Sequence, residues 1–170
     1  ELLGWADFKN FATKFGFGDT LGIDMFGELT GFVPSEGWLG DLYHSSIGQG
    51  KVRVTPLQIA TATGAIQSGK LYEPQIVDKI LNKNSETKKD ILPKIIANNF
   101  IDEKNLSLMK NGMYSSVWQV RGLENQIFGK TGTAQFTPDK DFYQTWFTSF
   151  TDDIVVTVLV EEGESGSATA

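Results

Sequence analysis

The most chemically suggestive pattern in the sequence is a lysine among small and hydroxyl-bearing residues, Gly129-Lys130-Thr131-Gly132-Thr133-Ala134-Gln135. Apolar residues border this pattern and predict a β-strand from Gln126 to Phe136. A lysine fixed on a strand can present a cation to an anionic ligand, and Thr131 and Thr133 add hydroxyl donors on one face because they are two positions apart. Lys130, Thr131 and Thr133 together therefore predict a site that binds a carboxylate.

The glycine at the centre of this pattern predicts how a ligand would approach. Gly132 has no side chain, so a peptide could lie against the strand edge and pair with it as an added strand. The backbone N–H of Thr133 would then point at an oxyanion that develops on the ligand.

Other candidate chemistry is weaker. The cluster Gly16-Phe-Gly18-Asp-Thr-Leu-Gly22 follows a predicted helix, whereas a dinucleotide-binding loop follows a strand, and its glycine spacing is off by one. The sole histidine, His44, lacks a second histidine with which to hold a metal, so we expect it to be structural. The pairs Asp152-Asp153 and Glu161-Glu162 flank a predicted strand and are expected to be solvated ends, not the paired carboxylates of a hydrolase.

Length and composition limit the remaining classes. The chain has 170 residues, of which 40% are hydrophobic, enough for one domain with a core. A net charge of −6 argues against nucleic acid as a partner. The absence of cysteine excludes disulfides, thiolate metal sites and a cysteine nucleophile. The apolar run from Ile154 to Val160 is about a third of what a bilayer-spanning helix needs. Because the sequence starts at Glu1 with no signal peptide, we expect it to be a piece of a longer protein.

Helical periodicity and capping signals predict the elements of the first two thirds. Apolar residues at intervals of three and four predict a helix from Trp5 to Phe15. The glycine-rich stretch from Gly16 to Gly50 carries many aromatic residues and is predicted to be a long ordered loop. Thr55-Pro56 predicts the start of a second helix, and Asp102 caps a third that extends to Val117.

The remaining segments favour extended structure. Leu71 to Leu81 alternates in part and is predicted to be extended, and polar Asn82 to Asp90 is predicted to be a surface hairpin or loop. Three β-rich runs near the end predict an antiparallel meander. They are Gln126 to Phe136, Gln144 to Phe150 and Ile154 to Glu161, separated by turns at Thr137 to Asp141 and Thr151 to Asp153.

These motifs together resemble a known family. Lys130-Thr-Gly132 matches the third signature of penicillin-binding proteins and serine β-lactamases. Further matches lie upstream: Gly22-Ile-Asp24 with Gly27-Glu28, then Ser46-Ile-Gly-Gln-Gly50, then Val54-Thr-Pro-Leu-Gln58-Ile-Ala60. In this order they resemble the second half of the transpeptidase domain of class B penicillin-binding proteins, more like the elongation type than the division type, and the resemblance spans essentially the whole chain.

The resemblance implies an α+β fold of the β-lactamase/transpeptidase kind, an antiparallel sheet covered by helices with a helical subdomain beside it. It implies a D,D-transpeptidase that cross-links peptidoglycan by serine acyl transfer on D-Ala-D-Ala stem peptides and is the target of β-lactams. Lys130, Thr131, Gly132 and Thr133 match the family's catalytic strand, and Lys130, Thr131 and Thr133 match positions that bind the substrate carboxylate. The resemblance implies no cofactor and no metal.

The resemblance also implies partners and a location. Expected partners are the peptidoglycan stem peptide, β-lactam antibiotics, an N-terminal half of the same domain, and a peptidoglycan glycosyltransferase of the elongation machinery. The expected location is the extracytoplasmic face of a bacterial membrane, with an anchoring N-terminal segment outside this sequence.

Two departures from the family pattern limit the expectation of activity. The family uses a Ser-x-x-Lys nucleophile motif and a Ser-x-Asn motif, but the chain has no Ser-x-Asn. Its two Ser-x-x-Lys matches, Ser85 to Lys88 and Ser107 to Lys110, are about as many as chance predicts and lie in the wrong context. We therefore expect residues 1–170 to be the C-terminal part of one transpeptidase domain, inert without its nucleophile. The alternatives are a non-catalytic module that binds or senses penicillin or stem peptides, and a serine β-lactamase.

Overall fold

The structure is a computed structural model that describes residues 3–117, 127–135 and 143–163. Within these ranges it contains helices, two small two-stranded sheets and a three-stranded antiparallel sheet. None of the helices in these ranges is long and apolar enough to span a membrane.

The helices are α1 (Trp5–Lys14), α2 (Leu39–Ser46), α3 (Pro56–Ser68) and α4 (Glu103–Ser116). Helix α3 begins at a capping box, in which the Thr55 hydroxyl accepts from the Gln58 backbone N–H and the Gln58 side chain accepts from the Thr55 N–H. Helix α4 has Asp102 as its N-cap, and the Asp102 carboxylate accepts from the backbone N–H groups of Lys104 and Asn105. These contacts confirm the predicted starts of α3 and α4, because the capping side chains occupy N–H groups that have no partner within a helix.

The strands fall into three separate sheets. In chain order they are β1 (Lys70–Tyr72), β2 (Lys79–Leu81), β3 (Thr87–Asp90), β4 (Ile95–Asn98), β5 (Phe128–Gln135), β6 (Tyr143–Phe150) and β7 (Val155–Gly163). Strand β1 pairs with β4, and β2 pairs with β3. Strands β5, β6 and β7 lie in the order of the chain, which confirms the predicted meander.

The fold differs from the sequence-based expectation in two places. The expected loop from Gly16 to Gly50 contains α2, a helix without a side-chain N-cap, which leaves little signal in the sequence. The extended segment Leu71 to Leu81 is divided between β1 and β2, which belong to different sheets. The predicted ends Gln126 and Phe136 and the turn Thr137 to Asp141 lie outside the described residues.

Helix α3 connects the sheet to the rest of the molecule. It packs on β6 and β7, where the hydroxyl of Thr148 bonds to those of Thr63 on α3 and Thr157 on β7, each at 2.8 Å. On its other side α3 contributes Ala62 and Ala65 to a buried apolar cluster with Phe15 and Leu71. The helix therefore fixes the position of the sheet relative to α1 and β1.

Buried and charged side chains hold the long loop in place. Gln58 is fully buried, and its Nε2 donates to the backbone carbonyls of Gly16, Asp19 and Thr30. The Glu28 carboxylate accepts from the N–H groups of residues 21–23. The motifs Gly22-Ile-Asp24 and Gly27-Glu28 thus stabilise the loop, and Glu28 occupies N–H groups that a phosphate would need.

Candidate active site at the edge of strand β5

The pattern around Lys130 lies on a strand, as predicted, and this strand is at the edge of its sheet in the described part of the chain. Lys130 pairs with Thr148 and Thr131 with Phe147. Side chains alternate along a strand, so Lys130 shares the face that carries Thr148 and α3, whereas Thr131 and Thr133 lie on the opposite face. All three residues line one cavity at the edge of the sheet.

Backbone carbonyls at every second position of β5 point away from β6. The carbonyl of Gly129 accepts from the Ser116 hydroxyl, that of Thr131 from the Lys130 ammonium, and that of Thr133 from the Gln49 side-chain amide. Residues whose carbonyls point outward from an antiparallel pair also direct their N–H groups outward. Gly129, Thr131 and Thr133 therefore form the backbone edge that a ligand would meet.

Lys130 is positioned by its own strand. Its side chain is exposed, and its Nζ folds back to donate to the Thr131 carbonyl at 2.8 Å. An ammonium group has three N–H donors, so this bond leaves donors for a bound anion. Among the described residues that line the cavity, Lys130 is the sole cation and Asp7 the sole acid.

The cavity has a volume of about 1190 Å³ and is mostly apolar. A second cavity of about 610 Å³ lies between α3 and α4, and Lys130 and Thr148 line both. The first has a polar side formed by β5, Ser45 and Ser46, and an aromatic side formed by α1 and Phe17. This combination of an apolar wall and a few polar groups is typical of sites that bind organic ligands.

Gly132 is required by packing within the sheet as well as by access. A side-chain carbon added at Gly132 would lie 3.3 Å from Cβ of Trp146, its partner on β6. That distance is tighter than ordinary van der Waals contact, so a larger residue would press on the strand pair that holds Lys130. The glycine thus keeps β5 flat against β6.

Gln49 is a site residue to which the sequence analysis gave no role. Its Nε2 donates to the Thr133 carbonyl at 3.3 Å. It lies between Gly48 and Gly50, whose φ angles of 77° and 93° are in the left-handed region that favours glycine. The motif Ser46-Ile-Gly-Gln-Gly50 could have indicated this role, because glycines on both sides of Gln49 are typical of a turn that exposes the side chain between them.

The loop that carries Gln49 is anchored to α2. Lys51 forms an ion pair with Asp41 at 2.8 Å, and the Gln49 backbone N–H donates to the His44 carbonyl at 2.9 Å. His44 is exposed on the same helix and does not line the cavity. The helix α2, which the sequence analysis did not predict, therefore supports the site.

The other candidate nucleophiles lie away from this cavity. Ser85 is in the turn between β2 and β3, with a φ of 63°, and Ser107 is exposed in the middle of α4. Neither is among the residues that line the two cavities. Among the described residues no group of three His, Asp or Glu side chains could hold a metal ion.

Comparison with known proteins identifies the family of the chain. The family model for the penicillin-binding protein transpeptidase domain matches residues 1–170, so the chain belongs to that family. It is 29% identical to the peptidoglycan D,D-transpeptidase MrdA of Haemophilus influenzae over 95% of the chain and 30% of that protein. It is 30% identical to the stage V sporulation protein D of Bacillus subtilis over 85% of the chain and 23% of that protein. The chain thus spans less than a third of the length of these two relatives.

Solved structures show the same fold. Penicillin-binding protein 2B from Streptococcus pneumoniae strain R6 superposes with a TM-score of 0.78 at 24% identity, over 93% of this chain and 29% of that one. PBP2 in the complex with MreC from Helicobacter pylori superposes with a TM-score of 0.75 at 30% identity, over 97% of this chain and 34% of that one. These similarities confirm the expected α+β fold of the β-lactamase/transpeptidase kind.

Proposed function

We propose that this chain forms the substrate-binding part of a peptidoglycan D,D-transpeptidase. The observation that carries the proposal is the outward edge of β5, where Lys130, Thr131 and Thr133 line one cavity in a chain of the transpeptidase family. A peptide that ends in D-Ala-D-Ala has a carboxylate for the cation and backbone groups for the strand edge.

In the proposed reaction a serine hydroxyl attacks the carbonyl carbon of the penultimate D-Ala. The new C–O bond gives a tetrahedral intermediate with an oxyanion. When the intermediate collapses, the C–N bond breaks and the terminal D-Ala leaves with the proton from the serine hydroxyl on its amine. An amine of a neighbouring stem peptide then attacks the acyl-enzyme and releases the serine. β-Lactams are proposed to enter as mimics of the same D-Ala-D-Ala end.

Each residue of the edge has a role in this proposal. Lys130 supplies positive charge to the terminal carboxylate while one of its donors stays on the Thr131 carbonyl. Thr131 and Thr133 supply hydroxyl donors, and the backbone N–H of Thr133 stabilises the oxyanion. Gly132 keeps the strand accessible and in contact with Trp146.

We further propose that residues 1–170 are the C-terminal part of the domain and that the nucleophile lies outside them. The positions of Ser85 in a hairpin turn and Ser107 on an exposed face of α4 support this, because neither serine lines the cavities that Lys130 lines. The 170-residue chain is then expected to bind ligand without being acylated.

The similarity to MrdA supports an elongation-type protein. The proposed location is the extracytoplasmic face of the bacterial membrane, where peptidoglycan is cross-linked. A glycosyltransferase of the elongation machinery is the proposed protein partner. The complex between PBP2 and MreC from Helicobacter pylori supports a protein partner in general, because PBP2 is a relative of this chain.

The test is covalent labelling by a fluorescent penicillin. We expect the full-length protein to be labelled and the isolated 170-residue chain not to be. In the full-length protein Lys130→Ala should slow acylation roughly tenfold to a hundredfold, the loss for a charge-assisted hydrogen bond worth about 1.5 to 3 kcal/mol. Lys89→Ala, which removes an exposed lysine from β3 outside both Ser-x-x-Lys matches, is the control and should not change the rate.

Different outcomes would reject different parts of the proposal. Label on Ser85 or Ser107 would place the nucleophile within this chain. Unchanged acylation of Lys130→Ala would reject the carboxylate-binding role. Reversible penicillin binding without label in the full-length protein would favour the non-catalytic binding module.

A further inference from the structure

The outward edge of β5 is covered by side chains at the positions where a ligand strand would pair. Ser116, Lys130 and Gln49 donate to three carbonyls spaced two residues apart. A peptide that adds as a strand donates its own N–H groups to such carbonyls. Each covering side chain therefore competes with a backbone donor of the ligand.

The three side-chain hydrogen bonds differ in how readily a ligand could displace them. The Ser116 hydroxyl lies between α4 and β5 and is part-buried, and Lys130 has spare donors with which to hold an anion. Gln49 makes an exposed bond of 3.3 Å, the longest of the three hydrogen bonds, from a loop between two left-handed glycines. An exposed neutral hydrogen bond at this length is the weakest of the three.

We infer that Gln49 is a specificity-determining residue that competes with the ligand for the Thr133 carbonyl. A ligand with an N–H group at this position displaces the Gln49 amide and takes over its acceptor. A ligand without such a group leaves the Gln49 bond in place. A ligand with the N–H group gains a hydrogen bond to the Thr133 carbonyl but must first break the Gln49 bond. Gln49 thus reduces the difference in acylation rate between ligands with and without this N–H group.

This inference rests on the proposed function, because it needs a ligand that lies along β5. It concerns a different residue and a different group of the ligand, however. Lys130 is proposed to act on the terminal carboxylate, whereas Gln49 acts on an amide N–H one step further along the strand.

The experiment compares two β-lactams on the full-length protein. A penicillin with an acylamino side chain carries the N–H group, whereas a carbapenem with a hydroxyethyl side chain does not. The variant Gln49→Met keeps the side-chain length and removes the donor. We expect it to be acylated by the penicillin about three to ten times faster than wild type, the range for one neutral hydrogen bond, and by the carbapenem within about twofold.

Two further variants control for folding and for the loss of an amide. Gln75→Met removes a similar exposed bond, from Nε2 to the Ile91 carbonyl at 3.2 Å, remote from β5, and should leave both rates unchanged. Gln49→Ala removes the donor by shortening the side chain and adds no charge near Lys130, so it should reproduce the selective gain if Gln49→Met does not fold.

Three outcomes would contradict the inference. An equal fall in the rates of acylation by the penicillin and the carbapenem would show that Gln49 positions β5 and does not compete with the ligand. Unchanged rates in both Gln49 variants would mean that no competition occurs. Failure of the wild-type protein to react with either β-lactam would reject the proposed function, and this inference with it, whereas the first two outcomes leave the proposed function standing.

Discussion

At the scale of single residues, Gln58 shows how much one buried amide determines. Its Nε2 donates to the carbonyls of Gly16 and Asp19 at 3.2 and 2.9 Å, and to that of Thr30 at 2.9 Å. Its Oε1 accepts from the Thr55 N–H at 3.0 Å. These carbonyls and the Thr55 N–H need a donor and an acceptor at a fixed separation, which the side-chain amide of Gln58 supplies.

Gln58→Glu is therefore expected to destabilise the chain strongly. The substitution replaces the donor by a carboxylate oxygen that faces three carbonyls without solvent, which costs about 3 to 5 kcal/mol for a buried unpaired charge. Gln75→Glu makes the same chemical change on the exposed surface and should shift the unfolding free energy by less than about 0.5 kcal/mol. Urea unfolding of both variants tests this, and equal shifts would contradict the role of Gln58 as the anchor of the loop.

At the scale of elements, a carboxylate fastens the long loop to the start of the β2–β3 hairpin. Asp24 accepts from the N–H groups of Ile76 and Val77 at 2.6 and 2.9 Å. These hydrogen bonds, first that from Ile76, lower the pKa of Asp24 below its ordinary value of 3.8. A carboxylate whose pKa is lowered in the folded state stabilises the fold above its unfolded pKa and loses that effect as the pH falls through the folded value.

Asp24→Asn should therefore reduce stability at neutral pH but not in acid. The asparagine side chain has one acceptor oxygen for the two N–H groups, so the variant should melt at a lower temperature at pH 7. As the pH falls below 3.8 and through the lowered pKa of Asp24 in the folded state, the wild-type carboxyl group takes up its proton and the two melting temperatures should converge. Thermal melts across this pH range test the prediction, and a constant gap at all pH values would show that the charge of Asp24 does not contribute.

Local signals decided which elements the sequence could predict. The starts of α3 and α4 were predicted from Thr55-Pro56 and Asp102, because capping contacts join residues close in the chain. Helix α2 lacks such a cap. Strand β4 follows Pro93 and owes its pairing to β1, more than twenty residues earlier, with Lys70 opposite Asn98.

The candidate site likewise has features that the local sequence predicts and features that it does not. The Lys130 pattern and its strand could be predicted because alternation and a short motif are local properties. The contact between Gln49 and Thr133 joins residues 84 positions apart, so only the folded chain brings them together. The glycines that flank Gln49 indicate a turn at this residue, but they do not predict which group its side chain contacts.

At the scale of the whole molecule, the two cavities adjoin and share part of their apolar lining. Phe15, Phe17 and Ile59 line both cavities, together with Lys130 and Thr148. An accessible apolar region of this kind binds hydrophobic ligands when nothing else covers it. The 170-residue chain studied alone should therefore bind an apolar fluorescent dye such as anilinonaphthalene sulfonate in its folded state.

A pair of phenylalanine variants locates that binding. Phe11 lines the larger cavity and is 48% exposed, whereas Phe26 is fully exposed and does not line it. Phe11→Glu should weaken dye binding severalfold, because it places a negative charge in the apolar wall that repels the sulfonate, while Phe26→Glu should leave the affinity unchanged. Dye titrations of both variants, with circular dichroism to verify folding, measure the difference. Equal losses in the two variants would mean that the dye binds scattered surface residues, and a molecule without an accessible apolar region would not bind the dye at all.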